Sequence, residues 1–381
     1  MTNLIFKIYI VWVPWLLSAN LFCQSLGVQG EISSWLTLNP DPNWQGQLGI
    51  RYIPDLSLKK QVTAAFTIDG ELAFKSYFAH SIQSGEKIES NNRITFYRTW
   101  IRFSSNQFEI RVGLQKINFG SATLLRPLMW FDRIDPRDPL QLTDGVFGIL
   151  GRYYFLNNAN VWFWGLYAND GTKGWELIPS DKTAPEYGGR IQIPFISGEF
   201  ALTYHHRKAH PLKEQLLIYS TKTKIAENRF GLDGKWDVGI GLWMEAVLIH
   251  QDFEKVQMHY QRLINGGLDY TFDIGNGLHA LTEFFHLDVS DGAFEFGPPV
   301  SFSAISCNYP IGLLDILNVI VYYDWKSEDW YRFANWKRRY DNWSFYLMVF
   351  WNPDRFQIYQ NQQDRNMFTG KGMQLMIVYN H

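Results

Sequence analysis

Residues 239–251, GIGLWMEAVLIHQ, alternate between apolar and polar side chains and decide the fold class. Successive side chains of a strand point to opposite faces, so this alternation indicates a strand and not a helix. One face collects Ile240, Leu242, Met244, Ala246 and Leu248. Further segments with the same period are 93–104, 106–117, 146–155, 187–195, 228–238, 341–351 and 371–380. The chain is therefore predicted to be all-β.

The apolar faces of these strands predict a barrel that crosses a membrane. After the first two dozen residues the sequence contains no apolar run long enough for a transmembrane helix. A bilayer offers no water to backbone polar groups, so only helices and closed sheets span it. Aromatic residues make up 17% of the chain, with 16 Trp and 20 Tyr, as in the girdles of membrane barrels. A soluble sandwich or solenoid is the alternative, but it would need a second sheet or repeat to cover the apolar face.

Residues 1–23 are predicted to be a signal peptide. Lys7 supplies the positive charge, and the apolar stretch 8–17 is too short to cross a membrane as a helix. We predict cleavage after Cys23, which leaves residues 24–381 as the outer-membrane barrel.

The alternative for this segment is a lipoprotein signal in which Cys23 is acylated. Phe22 is bulky where such signals have a small residue, which disfavours that alternative. If Cys23 is removed, Cys307 is the single remaining cysteine, and no intramolecular disulfide forms.

Short and long connections alternate along the chain. The short turns are predicted at 104–107, 156–160, 195–198, 237–239, 274–277 and 352–355. The long links are predicted at 80–92, 118–145, 169–186, 207–224, 252–257, 289–298, 326–340 and 362–370. Outer-membrane barrels have short periplasmic turns and longer external loops, so both termini are predicted to be periplasmic. The sequence predicts an antiparallel, up-and-down barrel with eighteen strands, with sixteen as the alternative.

The pair Asp69-Gly70 is the one strong hairpin signal inside a predicted strand. A turn there would make the strand number odd. Phe66 and Phe74 nevertheless keep the same parity through the pair. We therefore predict a single long strand over 61–79.

Parity also predicts which side chains face the lumen. A charge on the lipid face costs about 2 to 4 kcal/mol at the midplane, so charged faces are assigned inward. In 93–104 the lipid face is predicted to hold Tyr97, Thr99, Ile101 and Phe103. The residues predicted to line the lumen are Arg98, Arg102, Glu109, Arg111, Gln115, Arg152, Arg190, Glu199, Arg229, Asp233, Lys235, Glu245 and Asp269. A barrel of this size leaves room for water, so a channel or a plugged channel is expected.

Residues 118–145 form the longest predicted link and have two interpretations. In the first they fold into the pore as a constriction loop whose opposed charges screen solutes. In the second they brace an external loop through exposed ion pairs of about 0 to 1 kcal/mol each. The charged residues concerned are Arg126, Asp132, Arg133, Asp135, Arg137, Asp138 and Asp144. The inward arginines carry the same ambiguity between ion selectivity and bracing.

The most distinctive motif lies within 111–152. Gly113 and Gln115 precede Phe119-Gly120, an Asp-Pro-Arg-Asp-Pro run follows at 135–139, and the next predicted strand carries Gly151 and Arg152. This resembles the Gly-Arg-Gln strand and the Asp/Asn-Pro loop of the porin-like barrels grouped around the alginate-export proteins, with Leu114 in place of their arginine. The resemblance implies an eighteen-stranded channel with an arginine-rich lumen. Alginate is not carried over, because the predicted lumen has charges of both signs.

Charge and motif content exclude several functions. Lys plus Arg total 35 and Asp plus Glu 37, so the chain has no excess of positive charge that would favour binding to nucleic acid. His205 and His206 point to opposite faces of a strand and cannot grip one metal; we read these two and His210 as a loop-edge cluster. No catalytic constellation is recognisable, so no enzyme, cofactor or metal is predicted. The expected partners are the bilayer, lipopolysaccharide, the barrel assembly machinery and small solutes, and a homo-oligomer is left open.

We therefore predict an outer-membrane, porin-like channel that passes small polar or charged solutes through a water-filled lumen. The alternative is a non-transport barrel that acts in assembly, as a secretion accessory or in surface interaction. Such a barrel would have a lumen occluded by its loops or its N-terminal segment.

Overall fold

The computed structural model describes residues 25–40, 44–83, 86–212, 223–256, 258–354 and 367–381. The predicted signal peptide lies outside these residues. Within them, eighteen strands form one sheet. The strands are β1 (Ser25–Asn39), β2 (Gln45–Gln61), β3 (Thr67–Gln83), β4 (Glu86–Ser104), β5 (Phe108–Gln115), β6 (Val146–Tyr154), β7 (Asn160–Leu166), β8 (Glu186–Phe195), β9 (Gly198–Ala209), β10 (Ile225–Asp237), β11 (Gly241–Gln251), β12 (Tyr260–Phe272), β13 (Leu278–Ser290), β14 (Val300–Pro310), β15 (Asp315–Asp324), β16 (Asp329–Arg339), β17 (Trp343–Trp351) and β18 (Lys371–Asn380).

The sheet closes on itself. Each strand pairs antiparallel with its neighbours in the chain, and β1 pairs with both β2 and β18. At the closure Glu31 lies opposite Asn380 and Leu38 opposite Met373. The predicted all-β barrel is confirmed, and so is the strand number of eighteen instead of sixteen. No helix in the described ranges is long and apolar enough to cross a membrane.

The strand predicted over 61–79 begins later than expected. Residues 62–66 form a turn in which the Thr63 hydroxyl accepts from the backbone N–H of Phe66, and β3 then starts at Thr67. The prediction that no hairpin forms at Asp69-Gly70 is confirmed, because Gly70 pairs with β2 and β4. The link predicted at 80–92 is wrong, since β3 and β4 extend through most of it.

The link predicted at 326–340 is wrong, because it contains β16. The end of the turn predicted at 352–355 and the start of the link predicted at 362–370 lie outside the described residues, and β17 pairs directly with β18. In β16 the side chains of Arg332 and Arg338 lie on the same face as Trp330. Arg332 lies 5.8 Å from the Trp330 ring, so an aromatic neighbour offsets its charge. Charges on both faces hid the alternation of this strand.

A β-bulge at Tyr97 corrects the predicted lipid face of β4. The pairing with β3 shifts between Arg98 and Phe96 and leaves Tyr97 without an opposite residue. Phe96, 60% exposed, takes the lipid-facing place. The Tyr97 ring instead stacks under the Arg98 guanidinium at 4.0 Å, on the inner side.

The barrel has an apolar outside and an interior that is packed on one side. Large side chains such as Ile101 and Phe163 are 65% and 67% exposed on the outer face. The main cluster of buried apolar residues joins the inner wall to residues 117–131, so the hydrophobic core lies inside the barrel. The segment between β5 and β6 therefore turns into the lumen.

The closed ladder predicts a specific behaviour on gels. Protein recovered from membranes and left unheated in detergent is expected to migrate faster than boiled protein. Every backbone ladder is internal and closed, so detergent alone does not open it. The measurement is electrophoretic mobility before and after boiling.

A control chain truncated before β18 cannot close and is expected to migrate alike in both conditions. Equal mobility of heated and unheated full-length protein would contradict the closed barrel.

Candidate pore constriction

Residues 116–145 enter the lumen and pack against the inner wall. Ile117, Leu125 and Trp130 are 1%, 0% and 2% exposed. Phe119 stacks on Trp164 of β7 with ring centroids 5.7 Å apart. Burial of this much apolar surface holds the segment inside instead of outside the barrel.

Two wall carboxylates anchor this segment through its backbone. Glu245 of β11 accepts hydrogen bonds from the N–H groups of Ala122 at 2.7 Å and Leu128 at 3.2 Å. Glu283 of β13 accepts from Leu125 at 2.7 Å and also from the two preceding N–H groups. A carboxylate that collects several N–H donors satisfies backbone groups that would otherwise be buried without partners.

A second segment, residues 167–185, closes the same side of the lumen. Trp175 stacks on Phe285 of β13 with ring centroids 4.5 Å apart, and its Nε1 donates to the Arg126 carbonyl at 2.9 Å. Glu176 of this segment pairs with Arg207, at 3.1 Å, and with Arg229. Both arginines are at most 2% exposed, so the segment is fastened by desolvated ion pairs.

Ion pairs also hold the ends of these segments. Burial alone would raise the pKa of the Asp181 carboxyl, but hydrogen bonds from Lys224 and Thr183 lower the pKa to about 2. Burial would likewise raise the pKa of Asp144, and its pairing with Lys75 of β3 lowers the pKa instead. Both carboxylates therefore stay ionised, and both ion pairs persist, in any mildly acidic medium.

An internal cavity remains on the opposite side of the lumen. It has a volume of about 140 Å³ and lies between residues 133–142 and the inner faces of β1, β2, β3, β17 and β18. Its charged lining residues are Arg51, Arg133, Asp135, Arg137 and Asp138. The in-folded segment thus leaves a charged cavity along one wall.

The charges of this cavity are unequally compensated. Arg137 Nε donates to Asp135 at 2.7 Å, so these two side chains neutralise each other. Arg51 binds the Ser33 hydroxyl at 3.2 Å, and its Nη2 has no hydrogen-bond partner among the described residues. Burial raises the pKa of Asp138, although Arg51 opposes that rise. The cavity therefore favours an anionic group.

Three arginines, Arg102 of β4, Arg111 of β5 and Arg152 of β6, form a cluster farther along the wall whose charge two carboxylates partly compensate. Arg102 donates to Asp69 of β3 at 2.8 Å, and Arg152 donates to Glu109 at 2.9 Å. Arg102 and Arg111 also lie within 4 Å of Glu109, at 3.4 and 3.9 Å. These ion pairs indicate that the arginines mainly stabilise the barrel wall and do not form a free electropositive strip.

Comparison with solved structures identifies the fold. The chain is similar to OccAB2 of Acinetobacter baumannii, with a TM-score of 0.55 and 9% identity over 94% of this chain and 98% of that one. It is similar to OmpT, an outer membrane protein of Vibrio cholerae, with a TM-score of 0.53 and 9% identity over 94% and 99%. For OccK5 of Pseudomonas aeruginosa the TM-score is 0.52, with 11% identity over 94% and 98%.

The fold is that of a porin-like outer-membrane barrel. No protein-family model matches the chain. No curated protein matches it either. The likeness therefore concerns the architecture of the barrel alone.

The residues predicted to line the lumen fall into three environments of the porin-like barrel, all on its inner face. One group belongs to the braced cluster: Arg102, Glu109, Arg111 and Arg152. A second group is buried by internal pairing or by the in-folded segments: Arg98, Gln115, Arg190, Arg229, Asp233 and Glu245. The third group lies nearer the end of the barrel that holds the termini: Glu199, Lys235 and Asp269.

The residues predicted for the constriction loop also separate. Arg126 and Asp132 pair at 3.1 Å in the buried interior of the segment and are not among the residues that line the cavity beside residues 133–142. Asp144 forms an ion pair with Lys75 of β3. The four that line the cavity are Arg133, Asp135, Arg137 and Asp138.

Several important charges were missed by the sequence reasoning. They are Arg51, Glu176, Arg207, Glu227 and Glu283. Arg207 and Glu227 had the parity of inward residues and were recognisable in principle. Glu283 was hidden because apolar residues occupy both faces of β13.

The histidine pair occupies two different environments. His205 is 1% exposed inside the barrel, where Trp164 Nε1 donates to its Nδ1 at 3.1 Å, so the loop-edge interpretation is wrong for this residue. His206 lies on the outer face near Asn228. Across the described ranges, no group of three or more His, Cys, Asp or Glu side chains is arranged to hold a metal.

Proposed function

We propose that this porin-like barrel is a non-enzymatic channel for small polar solutes. The observation that carries the proposal is the charged cavity beside residues 133–142. A segment that merely filled the lumen would pack against all walls alike, whereas this one leaves a cavity lined by Arg51, Arg133 and Asp138. Charged groups that line a narrow, low-dielectric passage select and steer ions. Solutes that carry an anionic group are the expected cargo.

The second candidate is a barrel that does not transport. The feature that favours it is the apolar core formed inside the lumen by residues 117–131 and the strands from β11 to β17. Such a core is costly to open, because it buries large aromatic side chains. A barrel used as a scaffold for assembly, secretion or surface contacts tolerates a closed lumen.

Single-channel recording in a planar bilayer separates these candidates. Discrete conductance steps with a preference for anions are expected from the purified barrel. Replacing Arg51 by Gln is expected to move the reversal potential toward cations, because Arg51 lines the cavity and forms no ion pair within 4 Å of a described carboxylate. The shift should shrink near 1 M salt, where the Debye length is about 3 Å.

The matched control is Lys235→Gln, an exposed inner-face residue outside the cavity lining. It should leave the reversal potential nearly unchanged. Absence of discrete steps in protein that shows the gel shift would reject transport and favour the scaffold.

We propose that both termini are periplasmic. The connections on the side of the termini are two to five residues long, whereas the opposite side holds the long, fully described connections 116–145 and 167–185. Short turns belong to the periplasmic side of such barrels. The in-folded segments then enter from the cell surface.

Labelling of intact cells tests this orientation. An epitope inserted after Phe294, which is 92% exposed in the connection between β13 and β14, is expected to be labelled from outside. An epitope at Asn157, in the turn between β6 and β7, should be labelled after permeabilisation alone. Lys173 is unsuitable as an insertion site, because it is 8% exposed and lies 3.7 Å from Glu186. Labelling of Asn157 on intact cells would reverse the assignment.

The remaining sequence predictions enter as parts of the same proposal. Cleavage after Cys23 is supported by the length and charge of the leader. A closer relation to the alginate-export barrels is supported by the motif at 111–152. Lipopolysaccharide, the assembly machinery and a homo-oligomer are partners expected of an outer-membrane barrel.

A further inference from the structure

An apolar groove runs along the outer wall over β7, β8, β9 and β10. It has a volume of about 700 Å³ and is bordered by Phe163, Ile191 and Leu202, which are 67%, 53% and 54% exposed. Gly189 faces outward between them and has no side chain, so nothing fills the groove at this residue. A surface that is mostly apolar in this way accepts a hydrocarbon chain.

A polar row lies at one end of this groove. Tyr187, His206 and Asn228 are directly opposite one another in the register of β8, β9 and β10. The hydroxyl of Tyr204 donates to Asn228 Oδ1 at 2.8 Å, and His206 Nδ1 lies 2.9 Å from the same oxygen. Tyr187 and Tyr204 line the groove as well, so the row is continuous with it. Polar groups on the outer face mark the depth at which hydrocarbon gives way to headgroups.

Two cations stand beyond this row. Lys208 follows His206 on the same face of β9 and is exposed, and Lys182 is exposed in the segment whose Asp181 N–H donates to the Lys208 carbonyl at 2.8 Å. Neither lysine forms an ion pair with a described residue, whereas neighbouring Lys224 is paired with Asp181. Two uncompensated positive charges therefore lie above an apolar groove.

We propose that this site binds one phosphate-bearing lipid of the external leaflet, with the chemistry of lipid A. An acyl chain lies in the groove, and a phosphate lies between His206 and Lys208. Charge complementarity favours this occupant, because Lys182 and Lys208 form no ion pair with a described residue and a lipid phosphate beside the acyl chain supplies one. The proposal uses the orientation given above and does not depend on transport.

Native mass spectrometry of the full barrel, with lipid A titrated into a zwitterionic detergent, tests the site. One lipid A is expected to remain bound at concentrations at which phosphatidylcholine does not. Lys208→Ala should weaken retention about fivefold, the effect of one cation beside anionic headgroups. Ile191→Trp should reduce retention by filling the groove. The matched control, Ile264→Trp, places the same ring on the lipid face of β12 outside the groove and should retain lipid A normally.

Equal retention of phosphatidylcholine, or full retention by Lys208→Ala, would overturn the site. A dimer that Ile191→Trp dissociates would also overturn it, because the occupant would then be a second copy. Lys208 is exposed, so its variant remains informative even if Ile191→Trp fails to show the gel shift. Loss of conductance with lipid retention intact would reject the channel and leave the lipid site standing.

Discussion

Replacing Glu245 and Glu283 together by glutamine is expected to raise the single-channel conductance several-fold. Each carboxylate accepts hydrogen bonds from at least three backbone N–H groups of the in-folded segment. Hydrogen bonds to a charged group contribute about 1.5 to 3 kcal/mol each. A glutamine amide turns its own N–H donors toward these donors and loses several of the bonds. The segment should then leave the wall more often, and conductance recorded at fixed salt measures this.

Asp269→Asn is the matched control for this experiment. Asp269 is an inner-face carboxylate of β12 that lies opposite Gly241 and is not hydrogen-bonded to the in-folded segment. Its variant should conduct like the natural protein. Unchanged conductance in the double variant, in protein that still shows the gel shift, would mean that apolar packing alone retains the segment.

Neutralising Arg102, Arg111 and Arg152 together by glutamine is expected to lower the midpoint of heat modification by roughly 10 °C. Glu109 is 7% exposed, and these three arginines are the cations within 4 Å of it in the described part of the barrel. Removing them leaves a buried charge unpaired, which costs about 3 to 5 kcal/mol. The reversal potential should change little, because Asp69 and Glu109 already compensate two of the three arginine charges.

The same variant with Glu109→Gln added separates bracing from selectivity. Because the buried Glu109 charge is then removed, part of the lost midpoint should return, while Asp69, whose side chain is 12% exposed, still lacks Arg102. A shifted reversal potential with an unchanged midpoint would instead restore the interpretation of the arginines as an ion filter.

The fold was largely predictable because a lipid environment forces one face of every strand to be apolar. Leu242 and Ile264 show that face in the sequence as they do in the barrel. The strand β16 was not predicted, because it carries Arg332 on its outer face, where the rings of Trp330 and Trp351 shield the charge. The bulge at Tyr97 was not predicted, because no local sequence pattern marks it. The one inserted residue exchanges the inward and outward faces for all residues of β4 that precede it.

The site was predictable in composition but not in arrangement. The apolar run at 128–131, LMWF, was a usable signal, since an external loop surrounded by water gains nothing from it. The role of Glu283 in holding the in-folded segment was not predictable. Its hydrogen-bond partners are backbone N–H groups, which every residue except proline has, so no residue type marks them in the sequence. The sequence also could not show which arginine forms an ion pair. Arg51 and Arg102 both point inward, but Arg102 contacts Asp69 whereas Arg51 contacts the Ser33 hydroxyl.

The anchoring of residues 116–145 also constrains the order of folding. Glu245 lies 123 positions after Ala122, and Glu283 lies 158 positions after Leu125. Contacts at such separation form slowly, because a long chain must be ordered before they contribute. The apolar segment is therefore made early and stays without its partners until β11 and β13 exist. During that interval it is a candidate for chaperone binding in the periplasm, and its length sets how long the unfinished barrel must be protected from aggregation.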